Sequence, residues 1–230
     1  MRLKGEAVLV TGASRGIGRA CALCLAREGA KVALVARGGE GLERVAQQVR
    51  SEGFAALALA GDVADEAFAA YAWTAAEREL GPVSVLVANA GTLEIAPVAE
   101  LSAQAWDRTL GVNLKGAFLF AREAVRRQVP RKKGRLVFVS SISATLGTPR
   151  LAAYCASKWG LHGLIKSMAE ELRGTGVVAM GVAPGSVDTE MLKRSGFAPA
   201  MQPEDVAAVV RFLATEAPAA MQGSIVEMFG

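Results

Sequence analysis

The stretch "TGASRGIGRA", residues 11–20, decides how the rest of the chain is read. It follows the apolar run "AVLV" (7–10) and opens a segment of helical spacing (16–29). Gly12, Gly16 and Gly18 therefore lie between a strand and a helix, in the pattern Gly-x-x-x-Gly-x-Gly. Glycine lets the backbone turn sharply and come close to a ligand. The N-terminus of the following helix offers free N–H groups and a positive dipole end to a pyrophosphate. Strand, glycine loop and helix in this order predict a dinucleotide-binding unit.

The same alternation continues outward. Short apolar runs occupy 31–36, 55–60, 83–88, 135–140, 177–183 and 224–228, each bounded by turn residues. Several are apolar almost throughout, as strands covered on both faces should be. Between them, helical spacing runs over 40–52, 65–80, 102–129, 154–173 and 203–214. Repeated strand, helix, strand predicts an α/β fold, a Rossmann-type doubly wound parallel sheet of about seven strands with helices on both faces. No internal repeat, linker or low-complexity tract divides residues 1–230, so one domain is expected.

The choice of dinucleotide turns on the end of the second strand. An acidic side chain there holds the ribose 2′-hydroxyl of NAD and repels a 2′-phosphate. This chain reads "LVARGG", with Ala36 where the acid could stand and Arg37 next to it. Arg15 in the glycine loop can approach the same region. Two guanidiniums and no carboxylate favour phosphate, which arginine grips with a charged fork, and so NADP(H) over NAD(H).

Bulk composition limits the alternatives. With 230 residues, 52% of them hydrophobic, the chain can bury a full core. No run approaches the roughly 20 apolar residues of a membrane span, and a cytoplasmic location is expected. Cys21 and Cys24 form a Cys-x-x-Cys within a helical pattern, without a second ligand pair, so small packed thiols are expected rather than a metal site. The net charge is +4, partly concentrated in "RRQVPRKKGR" (126–135). No aromatic interleaving or docking motif accompanies that cluster, which argues against nucleic acid and for solvated cations at a helix C-terminus. An acidic protein partner stays open.

The chemistry-bearing stretch is "AAYCASKWG" (152–160), with Tyr154 one helical turn before Lys158. A free tyrosine has a pKa of about 10. A neighbouring ammonium is expected to lower it and make the phenol a usable acid and base near neutrality. Small neighbours at Ala153, Ala156 and Ser157 leave room for a ligand. Of the two adjacent serines, strand alternation points Ser140 and Ser141 opposite ways. Ser143 and His162 read as structural.

Taken together, these motifs resemble the short-chain dehydrogenase/reductase family over Ala7 to about Thr189. The resemblance is carried by "TGASRGIG", "GDV", "ANAG", "GVNLKGAF", "VFVSSIS", the Tyr154–Lys158 pair and "PGSVDT". It implies a cofactor site built from Gly12, Ser14, Arg15, Gly16, Ile17, Gly18, Arg37, Asp62, Val63, Asn89, Ala90, Gly91, Tyr154, Lys158, Pro184, Gly185, Val187 and Thr189. It implies catalysis by Ser141, Tyr154 and Lys158, with Asn113 holding a water that links Lys158 to solvent. Ala88 and Ser84 depart from the usual family pattern, and only a short substrate-covering segment, at about 190–202, separates Thr189 from the last helix. The implied reaction is hydride transfer between NADP(H) and a carbonyl or secondary alcohol. The motif strings look most like 3-oxoacyl-thioester reductases; ketone or aldehyde reductases, sugar or polyol dehydrogenases and a non-catalytic NADP sensor are the alternatives. Lys132, Lys133 and Arg173 are candidates for meeting an acidic acyl carrier protein. The long helices at 102–129 and 154–173 resemble those that pair subunits in the family, implying a homodimer or homotetramer.

Overall fold

The short apolar runs become strands: β1 (Ala7–Thr11), β2 (Lys31–Ala36), β3 (Ala56–Ala60), β4 (Val83–Ala88), β5 (Gly134–Val139), β6 (Val177–Pro184) and β7 (Ile225–Met228). In the computed structural model, which describes residues 1–230, they form one sheet in the order β3-β2-β1-β4-β5-β6-β7, and every pairing is parallel. The helices are α1 (Gly16–Arg27), α2 (Gly39–Ser51), α3 (Glu66–Leu80), α4 (Ala103–Leu110), α5 (Gly116–Gln128), α6 (Ala152–Glu171), α7 (Glu190–Lys193) and α8 (Pro203–Thr215). The fold is the doubly wound α/β fold that the alternation predicts.

Both faces of the sheet are dry because successive strand residues are apolar on both sides. Val8 and Val10 of β1, Val85 and Val87 of β4, and Val137 and Val139 of β5 join the core beneath α1, α2 and α8. Their alternates Leu9, Leu86, Leu136 and Phe138 join a second core with Trp73 of α3, Phe120 of α5 and Ile165 of α6. This is the period-two pattern of a strand buried on both faces.

Two helices differ from the sequence expectation. The helix expected over 102–129 is interrupted: Gly111–Lys115 is a π-helical turn between α4 and α5, and Asn113 sits within it. A composition rich in helix formers gives no warning of one extra residue in a turn. The segment after Thr189 also holds a short helix, α7, started by the Thr189 hydroxyl accepting from Leu192 N at 3.3 Å.

Because the sheet is parallel, every strand's carboxyl end faces the same way. Strand order reverses direction between β1 and β4, which opens a crevice there. Packing fixes the glycine loop beside this crevice. A side chain at Gly18 would meet Gly12 O at 2.2 Å, and one at Gly12, whose φ is +69°, would meet Ala90 Cα at 2.8 Å. Replacing Gly18 with alanine is expected to push α1 off the loop and lower stability by about 1–3 kcal/mol. Urea unfolding would measure the shift; an unmoved midpoint would mean that the helix does not rest on the loop.

Candidate active site

A cavity of about 530 Å³ lies along the crevice and is lined by Gly12, Ser14, Arg15, Gly16, Ile17, Gly18, Arg37, Asp62, Val63, Asn89, Ala90 and Gly91 at one stretch and by Tyr154, Lys158 and Thr189 at the other. Residues far apart in the chain are thus brought to one surface. The N-terminus of α1 enters it without a side-chain cap, whereas Asp65 caps α3 and Ser102 caps α4. Free first-turn N–H groups over a glycine floor suit an anionic phosphate.

Asn89 ties the crevice together. Its Nδ2 donates to Thr11 O at 2.9 Å and to Gly12 O at 3.3 Å, while the backbone N–H groups of Asn89 and Ala90 donate to Thr11 Oγ1 at 3.0 and 3.1 Å. Its side chain is committed to the protein, holding the end of β4 against the loop. Asp62 likewise accepts from Ala64 N at 2.9 Å and shapes its own turn.

At the far rim, Arg15 and Arg37 line the cavity, exposed and without an ion-pair partner, and Arg44 of α2 joins them, 4.0 Å from Glu40. Sequence reasoning missed Arg44. The signal was its place on the polar side of an amphipathic helix that begins at the cavity, but other polar residues of α2 share that pattern.

Tyr154 and Lys158 rise from the first turns of α6. Lys158 is 4% exposed, and its Nζ donates to Val139 O at 3.0 Å. Burial of the charge pulls its pKa down to about 8. The ammonium stands 5.7 Å from the centre of the Tyr154 ring. Here the structure corrects the sequence expectation. Burial pushes the Tyr154 phenol up, with the Ser141 hydroxyl opposing in part, and the lysine does not lower it. The ammonium gives one of its three N–H groups to a backbone carbonyl, and the phenol stays protonated at neutral pH.

Ser141 lines a second cavity of about 420 Å³, which shares Ile17, Ser140, Tyr154, Thr189 and Met191 with the first. Its Oγ accepts from Ser143 N at 3.1 Å. Ser140 Oγ is buried without a partner. Of the residues expected against the nicotinamide, Pro184, Gly185 and Val187 line this second cavity rather than the first, and Thr189 lines both. β6 ends at Pro184 and carries the strand end past the crevice. Met191, Leu192, Ser195 and Phe197 from the 190–202 segment form the cover of that second cavity.

The Asn113 side chain is hydrogen-bonded to protein groups on three sides. Its Oδ1 accepts from Thr92 N at 2.7 Å, and its Nδ2 donates to Thr92 O and Ser157 Oγ, both at 3.0 Å. Ser157 in turn donates to Tyr154 O at 2.7 Å. The side chain is a buried clasp between the π turn, the loop after β4 and α6, and it does not touch Lys158.

The basic residues proposed for an acidic partner lie elsewhere. Lys132 and Lys133 precede β5 and Arg173 follows α6, so they sit at the opposite end of the sheet from the crevice. Lys133 pairs with Glu6 at 2.6 Å, Arg173 with Glu170 at 2.6 Å and Arg131 with Glu77 at 2.8 Å; Arg126 and Arg127 close on the buried Glu123. Four of the six cations of the stretch are thus ion-paired within the chain.

A sequence model of the short chain dehydrogenase family matches residues 6–198. The chain belongs to that family. It is 37% identical to D-threitol dehydrogenase of Mycolicibacterium smegmatis, covering 97% of this chain and 91% of that one. It is 38% identical to the 3-oxoacyl-[acyl-carrier-protein] reductase MabA of Mycobacterium tuberculosis, covering 98% and 92%. The solved structure of a short-chain type dehydrogenase/reductase from Mycobacterium marinum superposes with a TM-score of 0.94 at 29% identity, covering 99% of this chain and 95% of that one. The short-chain dehydrogenase family works on alcohol and ketone groups with nicotinamide cofactors. No helix here is long and apolar enough to cross a membrane.

The buried lysine leaves a measurable trace. Below pH 8 both folded and unfolded chains hold its proton, and the folded chain bears the cost of a dehydrated charge. Between about 8 and the ordinary 10.5 the unfolded chain binds the extra proton, so stability rises with pH. Lys158→Met is expected to lack this rise, on the order of 3 kcal/mol. The readout is the difference between wild-type and variant unfolding free energies from pH 7 to 10.5; a constant difference would contradict it.

Proposed function

We propose that the chain is an NADP(H)-dependent oxidoreductase that interconverts a carbonyl and a secondary alcohol, in the manner of a 3-oxoacyl-thioester reductase. The observation that carries this reading is the position of Tyr154 on both the glycine-floored cavity and the second, largely apolar one, with Lys158 on the first and Ser141 on the second. The residues present fit the cofactor. The α1 N-terminus and glycine loop suit its pyrophosphate, and Arg15, Arg37 and Arg44, with no carboxylate at Ala36, suit a 2′-phosphate. When bound there, the nicotinamide supplies or accepts the hydride.

The protein's part is positioning and proton transfer. Tyr154, held protonated by its burial, is set to donate its proton to a carbonyl oxygen in the reductive direction. Ser141 can donate to the same oxygen and steady the charge that develops on it. Lys158, fixed by Val139 O and titrating near 8, is a cation that the spent phenolate would meet at neutral pH. Asn113 and Ser157 hold the backbone of Tyr154 in register.

A polyol dehydrogenase is the second reading, favoured by the 37% identity to the D-threitol dehydrogenase of M. smegmatis. Self-association is part of the proposal. Trp106 of α4, Phe118 of α5 and Trp159 of α6 are 37%, 41% and 55% exposed, an unusual set of surface aromatics.

Tyr154→Phe is expected to cut turnover by roughly 10²–10⁴-fold while NADPH binding by fluorescence titration stays within about twofold. A variant retaining most of its rate would remove the phenol from the reaction. Arg37→Asp is expected to lose about 10–100-fold in kcat/KM for NADPH and to gain for NADH. Equal losses with both cofactors would assign the arginine to packing rather than to phosphate.

A further inference from the structure

We propose that Leu146 and Phe197 grip an apolar chain at the mouth of the second cavity, so that the substrate is an uncharged alkyl or acyl carbonyl compound. This rests on the reading of Ser141, Tyr154 and Lys158 as the reacting end. It goes further by choosing among substrate chemistries.

The lining decides against charge. Of the 21 residues around this cavity, Tyr154 is the sole titratable one; no Asp, Glu, Lys, Arg or His faces it. A carboxylate or phosphate entering here would shed its water and find no counter-charge, a heavy penalty. Any anionic portion of the substrate must therefore stay outside the mouth.

Several of the cavity's hydroxyls are already engaged at least in part, which leaves few set out for a polyol. Ser195 Oγ donates to Leu192 O at 2.7 Å and accepts from Phe197 N at 3.3 Å. Thr189 Oγ1 accepts from Leu192 N at 3.3 Å, and the Ser143 and Thr148 hydroxyls face each other at 3.5 Å. A polyol needs several free partners in fixed places, because each unmatched hydroxyl loses its hydration without return.

What remains is apolar, and it is graded from the wall outward. Leu93, Leu151 and Val187 are 5%, 6% and 5% exposed and form the wall. Leu146, from the loop after β5, and Phe197, from the segment after α7, line the same cavity yet are 52% and 53% exposed. A chain reaching out from the reacting carbonyl would cover both. Burial of its methylenes between them supplies binding that a short ketone cannot have.

The test is a chain-length series. Unbranched 2-alkanones of four to ten carbons and a 2-oxo acid are assayed with NADPH, and the matching 2-alkanols and a tetritol with NADP⁺, on the wild type and on Leu146→Ser, Phe197→Ser and the double variant. In the wild type kcat/KM is expected to rise about fourfold per added methylene until the chain clears the mouth, with the tetritol and the 2-oxo acid far below. The double variant is expected to lose most of that slope. A slope is a ratio within one preparation, so partial unfolding of a variant does not imitate its loss. In parallel, unreactive alkanamides of the same lengths are titrated by calorimetry. If no ketone turns over but amide affinity climbs with length and falls with the serines, the reaction reading fails and the apolar grip stands. A flat series by both measures, or a preference for the tetritol or the 2-oxo acid, overturns the grip.

Discussion

The amide of Asn89 is the interaction on which the site depends. By donating to two successive carbonyls of the β1 loop it holds the ends of two neighbouring strands at the place where strand order reverses. The crevice exists because the topology parts the connections there. It keeps its shape because this one side chain bridges the gap. The position leaves no room for variation on the other side, since a Cβ at Gly18 would lie 2.5 Å from the same Asn89 nitrogen. Glycine, asparagine and helix start form one packed unit, and the arginine rim and the Tyr154–Lys158 pair are positioned relative to it.

The electrostatics of the pair follow from packing as much as from sequence proximity. One helical turn brings Lys158 near Tyr154, but distance alone does not say which group the ammonium will satisfy. In the folded chain it satisfies a backbone carbonyl at the end of β5, and dehydration dominates both groups in opposite directions: the phenol rises and the ammonium falls. The arrangement keeps the phenol protonated and its neighbour close to titration, which suits the proton transfer proposed for the pair.

How far the sequence could be read depends on the scale of the feature. Strand positions were legible because residues such as Val8, Leu9 and Val10 are apolar without a break, which only a doubly covered sheet requires. The glycine floor of the crevice was legible because Gly12 and Gly18 are imposed by close approach. Features set by side-chain competition were not. Nothing in "GVNLK" announces that Asn113 spends its amide on Thr92 and Ser157, or that the helix widens there. The fate of the basic run was equally hidden, because its carboxylate partners Glu6 and Glu77 come from separate parts of the chain. Pro184, Gly185 and Val187, expected against the nicotinamide, line the second cavity beside the crevice, a placement of a few ångströms that periodicity does not carry.

The π turn at Gly111–Lys115 does more than place one asparagine. Each residue advances a helix by about 100°, so one additional residue in a turn re-phases everything downstream. α4 packs against α6, while α5 packs against α3 and β4. A single uninterrupted rod could not show its greasy stripe to both sets of neighbours. The inserted residue works as a phase shifter that lets one continuous rod serve two separate walls of the molecule. Removing it would restore a regular helix and swing Leu119 and Phe120 away from the core they fill. A local defect in the backbone ladder is thus what allows the longer-range packing to be regular.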